Sequence, residues 1–165
     1  MVEAGVLGED EPVELIEGEL VTVPPQGPPH SNRIAELNMF LVPKYLGRAH
    51  VRVQLPLYVD TRSMPEPDIL IARPTPGRHP GGADSLLAIE IARTSQAFDR
   101  AKARLYATAG VPVYWLVDLA ERRIEERTEP TPSGDYRLTK LHLPADAIAL
   151  PELGETVLVR ELLGD

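Results

Sequence analysis

The sequence predicts a mixed α/β fold: one twisted mixed β-sheet flanked by helices, with a β-hairpin at the N-terminal end. Three observations carry this. DILIA at 68–72 and LLAIEIA at 86–92 are near-continuous apolar runs, as in strands covered on both faces. Only two segments keep the 3.6-residue spacing of a helix. The 17 prolines fall in clusters that separate these short segments, and each cluster is a poor place for a helix interior or a central strand.

The elements follow in order. VELIEGELVTV at 13–23 alternates around Gly18 and reads as a hairpin. After the Pro-Gly loop, Ser31 or Asn32 can cap a helix in which Ile34, Leu37, Leu41 and Tyr45 share one face, and Pro43 should kink or end it early. VRVQLPLYV at 51–59 reads as a strand with Val51, Val53, Leu55 and Leu57 buried and Arg52, Gln54 and Pro56 on the other face. The two apolar runs come next. Thr94 or Ser95 caps a second helix with a core stripe of Phe98, Ala101, Leu105 and Ala109 and a stop at Gly110. VYWLVD at 113–118 is another buried strand, and Tyr114 and Trp115 belong to the core. ERRIEER, DYRLTKLHL and ETVLVREL give amphipathic strands and a short terminal element. The expected order is ββ–α–β–β–β–α–β–β–β.

A chain of 165 residues fits one domain spanning 1–165, with room for a core that needs no staples. It has no cysteine, which excludes a disulfide framework, a thiolate metal site and a cysteine nucleophile. No apolar run approaches a membrane span, and the acidic opening MVEAGVLGEDE does not read as a secretory leader, so the cytoplasm is the expected compartment. The formal charge of −8 speaks against a protein that coats nucleic acid non-specifically. Arg33, Arg52, Arg93, Arg100, Lys102 and Arg104 nevertheless concentrate in the middle segments, away from the acids at 3–19 and 121–165.

The placement of acids inside apolar segments is the chemical signal. Asp68 opens a strand directly after Pro67, and Glu90 stands within LLAIEIA. An unpaired buried charge costs several kcal/mol and tends to neutralise. Two readings meet that cost. A divalent cation, Mg²⁺ or Mn²⁺, held by both carboxylates suits an all-oxygen site. Alternatively, Asp68 caps a strand end and Glu90 pairs with Arg93 or Lys102. On the second helix Ser95, Asp99, Lys102 and Tyr106 share a side, so Lys102 can return an ammonium to the carboxylates and stabilise charge on a phosphate or an attacking water. A solvated pair of Lys102 with Asp99 is the plainer alternative.

Other candidates carry less. His30 precedes a helix start and can be a base, a ligand or a cap. Glu36 points away from the apolar stripe. Glu17 and Glu19 flank the hairpin glycine, where charges are common. His50, His79 and His142 lack zinc-ligand spacing. Gln54 can orient a water if its face turns to the cleft. Phosphate-cradle motifs and the GxSxG elbow are missing from the sequence.

ELIEGELV, His30 before a helix, VQLPLYVDTRSMPEPDILIARP, and LLAIEIARTSQAFDRAKARLYATAGVPVYWLVD together resemble the Uma-type family of candidate restriction endonucleases, over roughly residues 13–128. The resemblance implies the restriction-endonuclease-like, PD-(D/E)XK fold and a nucleic acid, in the first place DNA, as substrate. It implies that Pro67-Asp68 is the PD half-motif, that Glu90 is the second acid, and that the two hold Mg²⁺ or Mn²⁺. The lysine expected two residues after Glu90 is Ala92, and the resemblance offers Lys102 of Asp99-x-x-Lys102 in its place. Glu19, His30 and Gln54 match polar positions of the family and are expected to support the cleft. A binding or assembly module that kept the fold without turnover, and a hydrolase of small nucleotides, remain alternatives. A homodimer is expected for an enzyme that cuts both strands of a duplex.

Overall fold

The computed structural model describes residues 12–23, 27–92 and 96–164, with side chains described from 101 onward in the last segment. The hairpin forms as β1 (Val13–Ile16) and β2 (Glu19–Thr22), with Ile16 opposite Glu19. The two loop residues, Glu17 and Gly18, have φ of 51° and 89°, the primed-turn geometry that matches strand twist. Helix α1 (Pro28–Tyr45) buries the expected stripe of Ile34, Leu37, Leu41 and Tyr45.

Both ends of α1 differ from expectation. It is capped at Gly27, four residues before the first expected cap, because Pro28 and Pro29 occupy positions whose N–H groups have no intrahelical partner. Pro43 lies inside it, yet the helix continues to Tyr45. Pro43 is exposed, and the bond it cannot donate would have gone to Met39, itself on the solvent side.

The central sheet has six strands in the order β3-β4-β5-β6-β7-β8. They are β3 (His50–Val53), β4 (Ile69–Ala72), β5 (Ser85–Ala92), β6 (Val113–Asp118), β7 (Arg123–Pro130) and β8 (Tyr136–His142). The β5–β6 pair is parallel, with α2 (Gln96–Ala109) in the connection, and the others are antiparallel. A further hairpin of β9 (Ala147–Leu150) and β10 (Glu155–Leu158), absent from the expected order, precedes α3 (Val159–Leu163). Apolar residues pack on both sides of the sheet. Ile69, Ile71, Ile89 and Trp115 join α1 and α3 in one cluster, while Leu70, Ala88, Ala92 and Tyr114 join α2 in the other. This is the mixed sheet flanked by helices that the two apolar runs predict.

Two elements are placed differently from their periodicity. The strand expected over 51–59 pairs only to Val53, because Gln54 takes a φ of 48° and turns the chain. Leu55 is consequently exposed, while Leu57 reaches the core from the following loop. On α2 Leu105 is buried and Ala109 packs against the second cluster as expected, but Ala101 is exposed, and Ala103, Tyr106 and Ala107 are buried against the small residues of β5. The expected caps Thr94 and Ser95, and the side chain of Phe98, lie outside the described residues. The Gly110 stop forms as expected, with a φ of 84° and a hydrogen bond from Val111 N–H to the Tyr106 carbonyl, 2.9 Å.

Gly82, in a single 3-10 turn before β5, fixes how closely that turn approaches α2. A Cβ there would lie 1.8 Å from the Ala109 carbonyl oxygen. Gly82→Ala is therefore expected to cost about 1–3 kcal/mol in urea unfolding. An unchanged midpoint would show that the end of α2 yields freely. Among the described residues no helix is long and apolar enough to cross a membrane.

Candidate active site

The acids lie where the sheet opens. Ile69 pairs with Ile89, so Asp68 and Glu90 stand one residue beyond that pair, on the face that α2 covers. Asp68 is buried at the mouth of β4. Its Oδ2 accepts the backbone N–H of Ile91 at 2.8 Å and lies 3.0 Å from Nε2 of His30, presented by the first turn of α1. The other ring nitrogen of His30 is buried without a hydrogen-bond partner among the described residues.

Glu90 is buried within β5. Its Oε1 accepts the Tyr106 hydroxyl and lies 3.4 Å from Nζ of Lys102, so the two inward residues of α2 converge on one oxygen. Burial pushes the Glu90 carboxyl up to about 8, with the charges of Asp68 and Glu14 adding to it and Lys102 and Tyr106 opposing. An unfolded glutamate gives up its proton near 4.5, so between 4.5 and 8 the folded chain holds the extra proton. The contribution of this group to stability therefore falls as pH rises through that window. Burial and the Glu90 charge push the Tyr106 hydroxyl well above its ordinary range.

Lys102 is the hub. Its Nζ donates to Glu14 Oε1 at 2.9 Å and to the Glu66 carbonyl at 3.1 Å, besides its contact with Glu90. Burial alone would push this ammonium down, but the charges of Glu90 and Glu14 outweigh it and hold it above the usual lysine range. The plainer expectation of a solvated lysine is thus corrected: three acceptors from three parts of the chain draw Lys102 inside. Glu14 also accepts the Glu66 N–H through Oε2 at 3.2 Å. Burial, with Glu14 beside it, pushes the Glu66 carboxyl up from its ordinary value.

Glu14 is the residue that sequence reasoning passed over. A signal was present: it pairs across the hairpin with Val21 and shares a side of β1 with Ile16, so its strand carries an acid on an apolar side. Glu19 shares that side but stands exposed at the turn end. The Gln54 side chain is exposed, while its backbone N–H contacts the carbonyls of Pro67 and Asp68, each at 3.2 Å, and so braces the Asp68 strand entrance. The Asp99 side chain lies outside the described residues. Glu36 is exposed and pairs with Arg33, and His50 and His79 are exposed. His142 is buried on β8 against Glu126, 2.8 Å away, and Trp115 shares that carboxylate.

The profile of the Uma2 family, described as "Putative restriction endonuclease", matches residues 3–159. The chain belongs to the Uma2 family. No curated protein matches it. The crystal structure of "a putative nuclease belonging to DUF820" from Anabaena variabilis ATCC 29413 is similar, with a TM-score of 0.76 and 20% identity over 98% of this chain and 95% of that one. At that identity the likeness shows the fold alone. The type IIG restriction endonuclease BpuSI gives a TM-score of 0.47 at 20% identity, over 81% of this chain and 15% of its own, and carries no argument.

The donor set of this Uma2 chain can be tested against a divalent cation. Among the described residues no group of three or more His, Asp or Glu side chains is placed to hold a metal ion. Two buried carboxylates on neighbouring strand segments do suit Mg²⁺, which takes one or two carboxylates and keeps several waters. Burial, with the charges of Asp68 and Glu14 adding to it, pushes the Glu90 carboxyl up, which a bound dication would oppose. The residues fit an oxygen-liganded dication.

Proposed function

We propose that this chain is a divalent-cation-dependent endonuclease that hydrolyses phosphodiester bonds of nucleic acid, in the first place DNA, with Asp68 and Glu90 holding Mg²⁺ or Mn²⁺. The observation that carries the reading is the convergence of two buried strand-borne carboxylates with a buried lysine. A bound cation of this kind supplies charge neutralisation at the scissile phosphate and a water of lowered pKa.

The chain's own groups do the rest. His30 holds Asp68 from one side, and the Ile91 N–H holds it from the other, so its carboxylate is fixed before any ligand arrives. Lys102 offsets the repulsion among Glu14, Asp68 and Glu90. By turning one N–H from the Glu66 carbonyl it can reach a phosphate oxygen and take up charge that develops there. Gln54, exposed beside the Asp68 entrance, lines the approach. In this reading Glu19, on the hairpin, and Asp99, in the helix sequence before Lys102, have supporting roles. Cutting both strands of a duplex calls for two copies related by a two-fold axis, in the cytoplasm where the DNA lies.

The test is calorimetric. Mn²⁺ is expected to bind and, at pH 7, to displace the proton that burial keeps on Glu90, so affinity should rise with pH until about 8. Titrations in two buffers of different ionisation enthalpy report that proton. Absence of Mn²⁺ and Mg²⁺ binding at pH 8 would remove the metal-dependent reading. A second reading, a module without turnover, is favoured by one observation: Ala92, at the position of the motif lysine, is buried in the apolar cluster. Metal binding without cleavage of DNA or RNA would select it.

A further inference from the structure

Among the described residues, one cation withdrawn from solvent has no carboxylate beside it. Six Lys and Arg side chains are at least partly withdrawn from solvent. Arg33, Lys44, Lys102, Arg123 and Arg127 each lie against a carboxylate. Arg52 does not: it is partly buried, and its Nε is inaccessible to water without a hydrogen-bond partner among the described residues. A desolvated guanidinium nitrogen left unpaired is unfavourable, and Arg52 is only partly buried, so a small turn of its side chain brings the guanidinium to an arriving anion.

Its place in the sheet says where that anion lies. Arg52 pairs with Leu70 and His50 with Ala72, and both partners belong to the cluster under α2. Arg52 therefore stands on the face that carries Asp68 and Glu90. Asp68 is two residues before Leu70 on the neighbouring strand, a separation of about 7 Å along it. β3 is the terminal strand of the six-stranded order, so its outer side has no strand partner among the described residues. His50, exposed, follows Arg52 on the same side.

We propose that Arg52 is the phosphate-binding residue of this site, taking a backbone phosphate of a nucleic-acid strand that runs along the open edge of β3, with His50 next along the track. The inference rests on the nuclease reading above. A guanidinium suits this role because its planar fork meets two phosphate oxygens at once. Such a contact positions the strand without reading its sequence.

Two measurements on the full chain test it. The first follows the Arg52 Nε–Hε resonance by NMR while inorganic phosphate, and then a dinucleotide phosphodiester, is added. The signal is expected to shift and saturate, and to be missing in Arg52→Gln. The second measures anisotropy of a labelled oligonucleotide in Ca²⁺ across salt concentrations. Arg52→Gln is expected to weaken binding about tenfold on every sequence and to lower the salt slope by about one, with Arg52→Lys in between. If the oligonucleotide binds or is cleaved while Arg52→Gln matches wild type and the resonance stays still, the assignment of Arg52 falls and the nuclease reading stands. If phosphate moves the resonance but no nucleic acid binds wild type, the anion site stands and the nuclease reading falls. Because the NMR arm uses wild-type protein, a misfolded variant does not shield the proposal.

Discussion

Asp68→Asn and Glu90→Gln are each expected to lower metal-dependent cleavage about a thousandfold. A cation clamped on the scissile phosphate contributes several kcal/mol to the transition state, and each 1.36 kcal/mol is a factor of ten in rate. The two variants differ in a second readout. Glu90 is the carboxyl that burial holds protonated up to about 8, so its amide replacement does not titrate where wild type does. Relative to wild type, Glu90→Gln should become more stable as pH rises from about 4.5 to 8. Asp68→Asn should instead lose the charge-assisted bonds to the Ile91 N–H and His30. Urea unfolding at several pH values, alongside a cleavage assay, separates these effects. Cleavage unchanged in both variants would place the chemistry elsewhere in the molecule.

The second large effect concerns Lys102. Replacing it with Met leaves the buried carboxylates of Glu14 and Glu90 facing each other without their shared cation. Breaking a buried ion pair from one side costs about 3–5 kcal/mol. The cost should be greatest above about pH 8, where Glu90 is ionised, and smaller below it, where the Glu90 carboxyl holds its proton. Adding Glu14→Gln removes one of the stranded charges. The double variant is therefore expected to be more stable than Lys102→Met alone, an interaction that a double-mutant cycle measures directly. A Lys102→Met protein as stable as wild type at pH 8 would show that the three acceptors do not depend on the ammonium.

Much of this site is legible in local sequence, and the reason is specific. Asp68 and Glu90 stand out because acids interrupt runs that otherwise demand burial, and Lys102 and Tyr106 stand out by the i,i+4 spacing that aims both at one point. What stays hidden depends on non-local contacts. Glu14 is drawn to Lys102 by the docking of the N-terminal hairpin on residues 62–66, through the Met64 N–H to the Leu15 carbonyl and the Gly18 N–H to the Arg62 carbonyl. Nothing in the alternation of VELIEGELV announces that surface. Gln54 reads as mid-strand because VRVQLPLYV keeps its alternation past the turn, and a single left-handed residue leaves no trace in a pattern of apolar positions. Ala101 was assigned to the core by the same logic. The sheet beneath α2 selects the face with Ala103 and Ala107 instead, because these let the helix approach Ala88 and Ala92.

The hydrogen bond from Lys102 to Glu14 spans 88 positions, and the one from Lys102 to the Glu66 carbonyl spans 36. Closing such loops is entropically costly until the surrounding elements are in place. During synthesis the hairpin and α1 emerge long before α2, and at that stage Glu14 has no cation to meet. The same holds for Glu90 until Lys102 arrives. A chain still on the ribosome, or one cut between the hairpin and α2, holds the acids apart from their counter-charge. The cluster is therefore complete only in the finished molecule.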